Sequence, residues 1–172
     1  MRTSELHSSE YDAYYRPYLD LVPDSPLTEA LAYGLDTTIS FFDELPMETW
    51  TYRYAPDKWT PKDILQHLSD TERVFSYRAL SISRNPQSIL PGFDENVFAD
   101  AALANEMSIK ILMEEFIAVR KSTISLFRNL DTTRLKHIGI ANSKPLSARA
   151  AGFIICGHEI HHCNIIKERY LA

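Results

Sequence analysis

Six histidines are present, His7, His67, His137, His158, His161 and His162, and three of them share a pattern. His158 and His162 are four residues apart in a segment with helical periodicity. At about 100° per residue they lie about 40° apart on one face, one turn from each other. Ile155 and Ile165 share that face and turn the pair toward a core. His67 falls on the same side of another helical segment as Ile64, Leu68 and Thr71. Neutral imidazole is the commonest metal ligand, and an i,i+4 pair can present two nitrogens to one ion. A third ligand from a neighbouring helix leaves a position open for water or substrate, as catalytic metal sites do. The competing reading makes each histidine a core residue bonded to a backbone or carboxylate group, since burying it unpaired costs about 1–3 kcal/mol. The residues alone leave both readings open.

The neighbours are less specific. Asp70 is one turn beyond His67 and is the candidate for proton transfer, or for orienting an imidazole from behind. Its plainer reading is an i,i+3 ion pair with Arg73, worth a few tenths of a kcal/mol. Glu72 points about 140° away from His67, and Glu159 about 100° away from His158. His161 falls on the far side of His158 from His162 and is expected to pack at a helix interface or face solvent. His7 and His137 sit in unpatterned segments. Cys156 and Cys163 are two helical turns apart, about 10 Å, too far for a mutual disulfide. They point away from His158 and read as reduced packing or interface residues.

Four long helical patterns must position these side chains. The first spans about 26–45, with Ser25 as cap, Pro26 at the first helical position, and a stripe of Leu27, Leu31, Leu35, Thr38, Phe42 and Leu45. The second spans 60–84, capped by Thr60 with Asp63 three residues on, and carries Ile64, Leu68, Thr71, Phe75 and Arg78 along one side. The third covers about 105–130 through Leu112, Phe116, Val119, Thr123, Leu126 and Leu130. The fourth runs over 147–170 through Ala151, Ile155, His158, His162, Ile165 and Arg169. Tyr11, Tyr14, Tyr15 and Tyr18 predict a short extra N-terminal helix within a 1–24 extension that packs on the bundle. PGFDENVF and HIGIANSKPL read as loops with at most a little extended structure. The expectation is an all-α, antiparallel-type four-helix bundle in a single domain, residues 1–172. The long connection from Asn85 to Ala104 leaves room for a crossover, so helix order stays open.

Composition narrows the function. With 18 basic against 23 acidic residues the net charge is −5, which argues against a nucleic-acid partner. No run approaches the roughly 18 apolar residues of a membrane span, and the N-terminus lacks a signal-peptide core, so a cytoplasmic protein with no membrane partner is expected. Five glycines among 172 residues disfavour a turn-dense all-β fold.

Three segments together resemble the DinB-like family of metal-binding four-helix-bundle proteins. KWTPKDILQHLSDTERVFSYRALSISR, Lys58 to Arg84, is similar to the family's second helix, with its metal histidine at His67. LPGFDENVF, Leu90 to Phe98, resembles the loop that follows in one bacterial subgroup. LSARAAGFIICGHEIHHCNIIKERYL, Leu146 to Leu171, is similar to the last helix, with ligands at His158 and His162. The tyrosine-rich YDAYYRPYLDLV fits the same subgroup. The resemblance implies one divalent metal, zinc or nickel, with iron also in reach of imidazole ligands. It implies a homodimer as well, and it leaves the reaction open. Relatives include thiol-dependent S-transferases, a maleylpyruvate isomerase and members described as metal-dependent hydrolases. The functional expectation is therefore a hydrolase or S-transferase acting on a small molecule, with a low-molecular-weight thiol as a candidate co-substrate. The alternative is a non-catalytic metal- or ligand-binding stress-response protein.

Overall fold

A computed structural model of the chain describes residues 1–171. Helix α1 covers Arg16–Leu19, α2 Leu27–Asp43, α3 Pro61–Arg84, α4 Glu95–Ala102, α5 Ile109–Arg128, α6 Thr132–Leu135 and α7 Ala148–Arg169. Three short strands join them: β1 Ile89–Leu90, β2 Ile138–Ala141 and β3 Lys144–Ser147. The long helices start where their caps dictate. The Thr60 hydroxyl accepts from the Asp63 backbone at 3.1 Å while the Asp63 carboxylate accepts from the Thr60 backbone at 2.9 Å, a reciprocal capping box. Ser147 receives the Ala150 N–H at 3.0 Å, and Ser108 that of Ile111 at 3.3 Å. The expected Ser25 cap does not form. Pro26 takes the cap position with extended backbone, and Leu27 opens the helix.

Both α2 and α3 pack on α5 and α7, forming a four-helix bundle. Cross-helix pairs fix the directions. Gln66 meets Glu115, Glu72 meets Arg120 and Ser76 meets Thr123, so α3 and α5 run parallel. Thr38 meets Glu159 and Lys167 lies over Phe41, so α2 and α7 run parallel as well. His67 near the start of α3 faces His162 near the end of α7, which sets those two helices antiparallel. The expected antiparallel-type bundle is thus corrected to one with two parallel neighbouring pairs. The physical reason is the connection after Asn85, which returns along the bundle so that Asn105 bonds Thr60 and Asp63 at the start of α3.

That connection is also more ordered than a loop. Asp94 caps α4 by accepting from Asn96 and Val97. None of the α4 residues is buried, so no apolar stripe betrays it in the sequence. The second expected loop forms the β2–β3 hairpin, turning at Asn142 and Ser143 with φ of 51° and 61°. β1 adds to it in parallel. The tyrosine-rich segment forms one 3-10 turn, Ala13–Tyr15, and the single turn α1, shorter than its stripe implies. Gly157 lets α1 lie on α7: a Cβ there would meet the Tyr18 carbonyl oxygen at 2.0 Å.

Two apolar clusters fill the bundle, one around Leu31, Phe75, Phe127 and Phe153, the other around Phe42, Leu65, Phe116 and Ile166. Phe127, Phe153 and Cys163 belong to these interiors. Among the described residues, no helix is long and apolar enough to cross a membrane.

Candidate metal centre

Between the two apolar clusters the bundle carries a polar layer, and the three core-facing histidines stand in it. His67 Nε2 lies 3.0 Å from His158 Nε2, which lies 3.1 Å from His162 Nε2. The three residues can each offer a ligand atom within 4.8 Å of the others. An ion about 2.0–2.1 Å from each nitrogen in tetrahedral geometry sets those nitrogens about 3.3–3.4 Å apart, within a few tenths of an ångström of the observed spacing. The residues fit such an ion.

Electrostatics points the same way. Burial pushes the His67 imidazole down to about 4. His158 and His162 are held well below the ordinary histidine value, by burial first and then by the neighbouring imidazoles. All three are neutral at physiological pH, with lone pairs free to bind a cation. Their rings are fixed by packing. Trp59 lies 4.5 Å from the His67 ring, and Tyr18 lies edge-on to His158 at 5.6 Å. Thr71 Oγ1 sits 3.4 Å from His67 Nδ1, completing its polar contacts.

The cluster opens onto a cavity of about 580 Å³ lined by tyrosines 14, 15 and 18, Trp59, Phe75 and Phe93. His161 also borders it, edge-on to Tyr18 at 5.2 Å, but lies outside the converging group. His7 bonds its neighbour Ser9, and His137 lies 3.0 Å from the Ser83 carbonyl. Asp70 stands apart from the imidazoles. It receives Gln66 Nε2 at 3.1 Å and pairs with Arg73 at 3.4 Å, beside Glu115 of α5. The polar neighbour of His67 is Thr71 instead.

Behind the histidines lies a group that the sequence reading missed. The Arg120 guanidinium, 1% exposed, donates from Nε and Nη2 to Glu72 at 2.8 Å each and from Nη2 to Glu159 at 2.6 Å. Burial pulls this guanidinium down, but the Glu159 and Glu72 carboxylates hold it well above its ordinary value. Burial raises the Glu159 carboxyl in spite of Arg120. The signal was available: Arg120 interrupts the apolar face between Phe116 and Thr123. Cys156 and Cys163 are free, buried thiols on the other side of α7, bordering a separate cavity with Glu159.

Fold and site together define a helical-bundle protein with a three-histidine cluster on a cavity wall. The model of the DinB superfamily matches residues 30–166, and the chain belongs to that superfamily. No curated protein matches it in sequence. Among solved structures it is similar to YfiT from Bacillus subtilis, described as a probable metal-dependent hydrolase with an unusual four-helix bundle topology. That likeness covers 95% of this chain and 90% of the other, at 15% identity and a TM-score of 0.67, and it shows a shared fold.

Proposed function

We propose that the chain is a metal-dependent hydrolase of a small-molecule substrate, its ion held by Nε2 of His67, His158 and His162. The observation that carries this reading is the convergence of three neutral, packed imidazoles on the wall of a cavity large enough for a substrate. The ligand set contains no carboxylate, which favours zinc or nickel, with iron also compatible, over hard cations such as magnesium. An ion held there would supply Lewis-acid polarisation of a substrate oxygen or sulfur. The protein's own part is to hold the imidazoles neutral and aligned and to surround the substrate with aromatic walls that exclude water. Asp70, engaged with Gln66 and Arg73, takes no step in this reading.

Metal analysis of untagged protein tests the site, with about one ion per chain expected. A panel of esters and amides, with and without a low-molecular-weight thiol, tests the reaction. Turnover only in the presence of the thiol would replace hydrolysis by S-transfer at the same centre, and metal without any turnover would favour the binding-protein alternative. A cytoplasmic homodimer is part of the same proposal, and its dimeric state rests on family resemblance alone. A monomeric mass by light scattering would remove the dimer.

A further inference from the structure

At the far end of the cavity from the histidines stands Arg78, a side chain the metal reading does not use. It is 3% exposed, yet it lines the cavity. Its position follows from the helix: eleven residues separate it from His67, so the two share a face of α3 about 16 Å apart along the axis. Arg78 Nη2 donates to the Pro91 carbonyl at 3.0 Å, and the Tyr15 phenol lies beside the guanidinium. Phe75 lies under it at 4.9 Å and Phe93 at 5.8 Å. Among the described residues it has no carboxylate partner. Arg120 and Arg149, the other buried guanidiniums, are both paired with glutamate.

A buried guanidinium carries five N–H donors and a fixed positive charge, and this one meets only a carbonyl, a phenol and two aromatic faces. Burial accordingly pulls Arg78 below the ordinary arginine value, the Tyr15 phenol offsetting only part of it. The other charges on the cavity do not supply the missing anion: Lys144 is paired with Asp12 at 3.3 Å, and Glu95 is exposed at the rim.

We propose that Arg78 is the oxyanion-binding end of the cavity, and that its ligand is an elongated molecule with an aromatic or apolar body and a single carboxylate. The planar fork of guanidinium matches a carboxylate in two parallel hydrogen bonds. One unpaired positive charge balances a singly charged carboxylate and falls short of a phosphate monoester dianion. The cavity's aromatic lining takes the body. That the reacting group sits at the other end rests on the metal reading; the oxyanion site itself does not.

The experiment measures binding of 4-phenylbutyrate, 4-phenylbutanamide and 3-phenylpropyl phosphate by titration calorimetry. It uses wild type, Arg78→Gln and Arg78→Lys, each with zinc offered and after chelation. Metal-free wild type is expected to bind the acid about tenfold more tightly than the amide. That preference should shrink to within about twofold in Arg78→Gln and persist in part in Arg78→Lys. Equal affinity for acid and amide in metal-free wild type overturns the proposal even if the glutamine variant does not fold. A preference that survives Arg78→Gln, or that vanishes on chelation alone, overturns it too, since the anion then sits elsewhere or on the metal. Tighter binding of the phosphate ester overturns the single-charge assignment. Zinc uptake is read separately: no uptake with an intact acid preference sinks the metal reading and leaves the Arg78 site standing.

Discussion

His158 and Glu159 are consecutive in sequence and nearly equally deep, at 9% and 2% exposure, yet they belong to opposite kinds of polar cluster. On one side of α7 Glu159 joins Glu72 around Arg120, where two carboxyl groups and a guanidinium are sealed between the helices and bonded together. On the other side His158 joins His67 and His162, where neutral nitrogens converge and open onto a cavity. In the first cluster one guanidinium holds two carboxyl groups, and although Glu159 Oε1 finds no hydrogen-bond partner among the described residues, the bonds act within the protein on stability. The second has neutral lone pairs directed at one point, which is what a cation site requires. Burial alone does not separate structure from function here; what separates them is that one cluster is held by a guanidinium bonded to carboxyl groups and the other is neutral nitrogens converging beside a cavity.

Removing one partner from each cluster breaks the comparison most directly. Arg120→Met leaves two carboxylates buried without their cation and is expected to cost about 3–5 kcal/mol, read from urea or thermal unfolding. Replacing all three, as Glu72→Leu, Arg120→Met and Glu159→Leu together, is expected to recover most of that loss, because no buried charge is then left unpaired. A near-neutral Arg120→Met would show that the cluster is not the structural element its geometry implies.

The histidines should respond in the opposite way. Alanine at His67, His158 or His162 is expected to lower zinc or nickel affinity at least about tenfold each, with little change in the stability of metal-free protein. His7→Ala, His137→Ala and His161→Ala should keep the metal. Titration with either ion followed by metal analysis decides this, and retention by His158→Ala would dissolve the assignment of the second cluster.

The two clusters were unequally legible in the sequence, for physical reasons. The i,i+4 spacing of His158 and His162 is a local signal, and the capping box at Thr60 fixed where the helix of His67 begins, so the face of each could be worked out from the wheel. Glu72 and Glu159 were placed correctly as pointing away from the histidines, but where they point instead depends on α5. Arg120 is 48 residues from Glu72 and 39 from Glu159. No periodicity joins residues at that separation, and the parallel pairing of α3 with α5 comes from a crossover whose course the sequence left open. The cavity was hidden for the same reason. Tyr18, Phe93 and the Trp59–Arg78 stretch come from three separate parts of the chain, and only the fold brings them to one wall.

A smaller effect is expected where the N-terminal segment supports the histidine side of the comparison. Gly157→Ala places a methyl against the Tyr18 carbonyl, so α1 must lift from α7. The cost is expected at about 1–3 kcal/mol, with Tyr18 drawn back from the His158 ring. Unfolding measured alongside metal affinity should show both falling together. In Arg120→Met, by contrast, stability falls while the histidines keep their ligand atoms. An alanine variant as stable as wild type would mean that the N-terminal segment adds nothing to the bundle.

The smallest effect separates a third buried pair from the other two. Glu10 and Arg149 tie the N-terminal segment to the start of α7, with Arg149 Nε donating to Glu10 at 2.7 Å and both side chains 6% exposed. This pair is one anion to one cation, without the surplus carboxylate of the Arg120 cluster. Burial pushes the Glu10 carboxyl up, but Arg149 and the His7 backbone N–H outweigh it and leave the group below its ordinary 4.5. A carboxyl with a depressed folded-state pKa contributes stability that is complete above the unfolded value and is lost as pH falls through the folded one. Wild type should therefore lose stability as pH drops below about 4.5, and Glu10→Gln should lose less over the same range. Urea midpoints at pH 6, about 4.5 and about 3 make the comparison. Parallel curves for the two proteins would mean that the pair forms without contributing to the folded state.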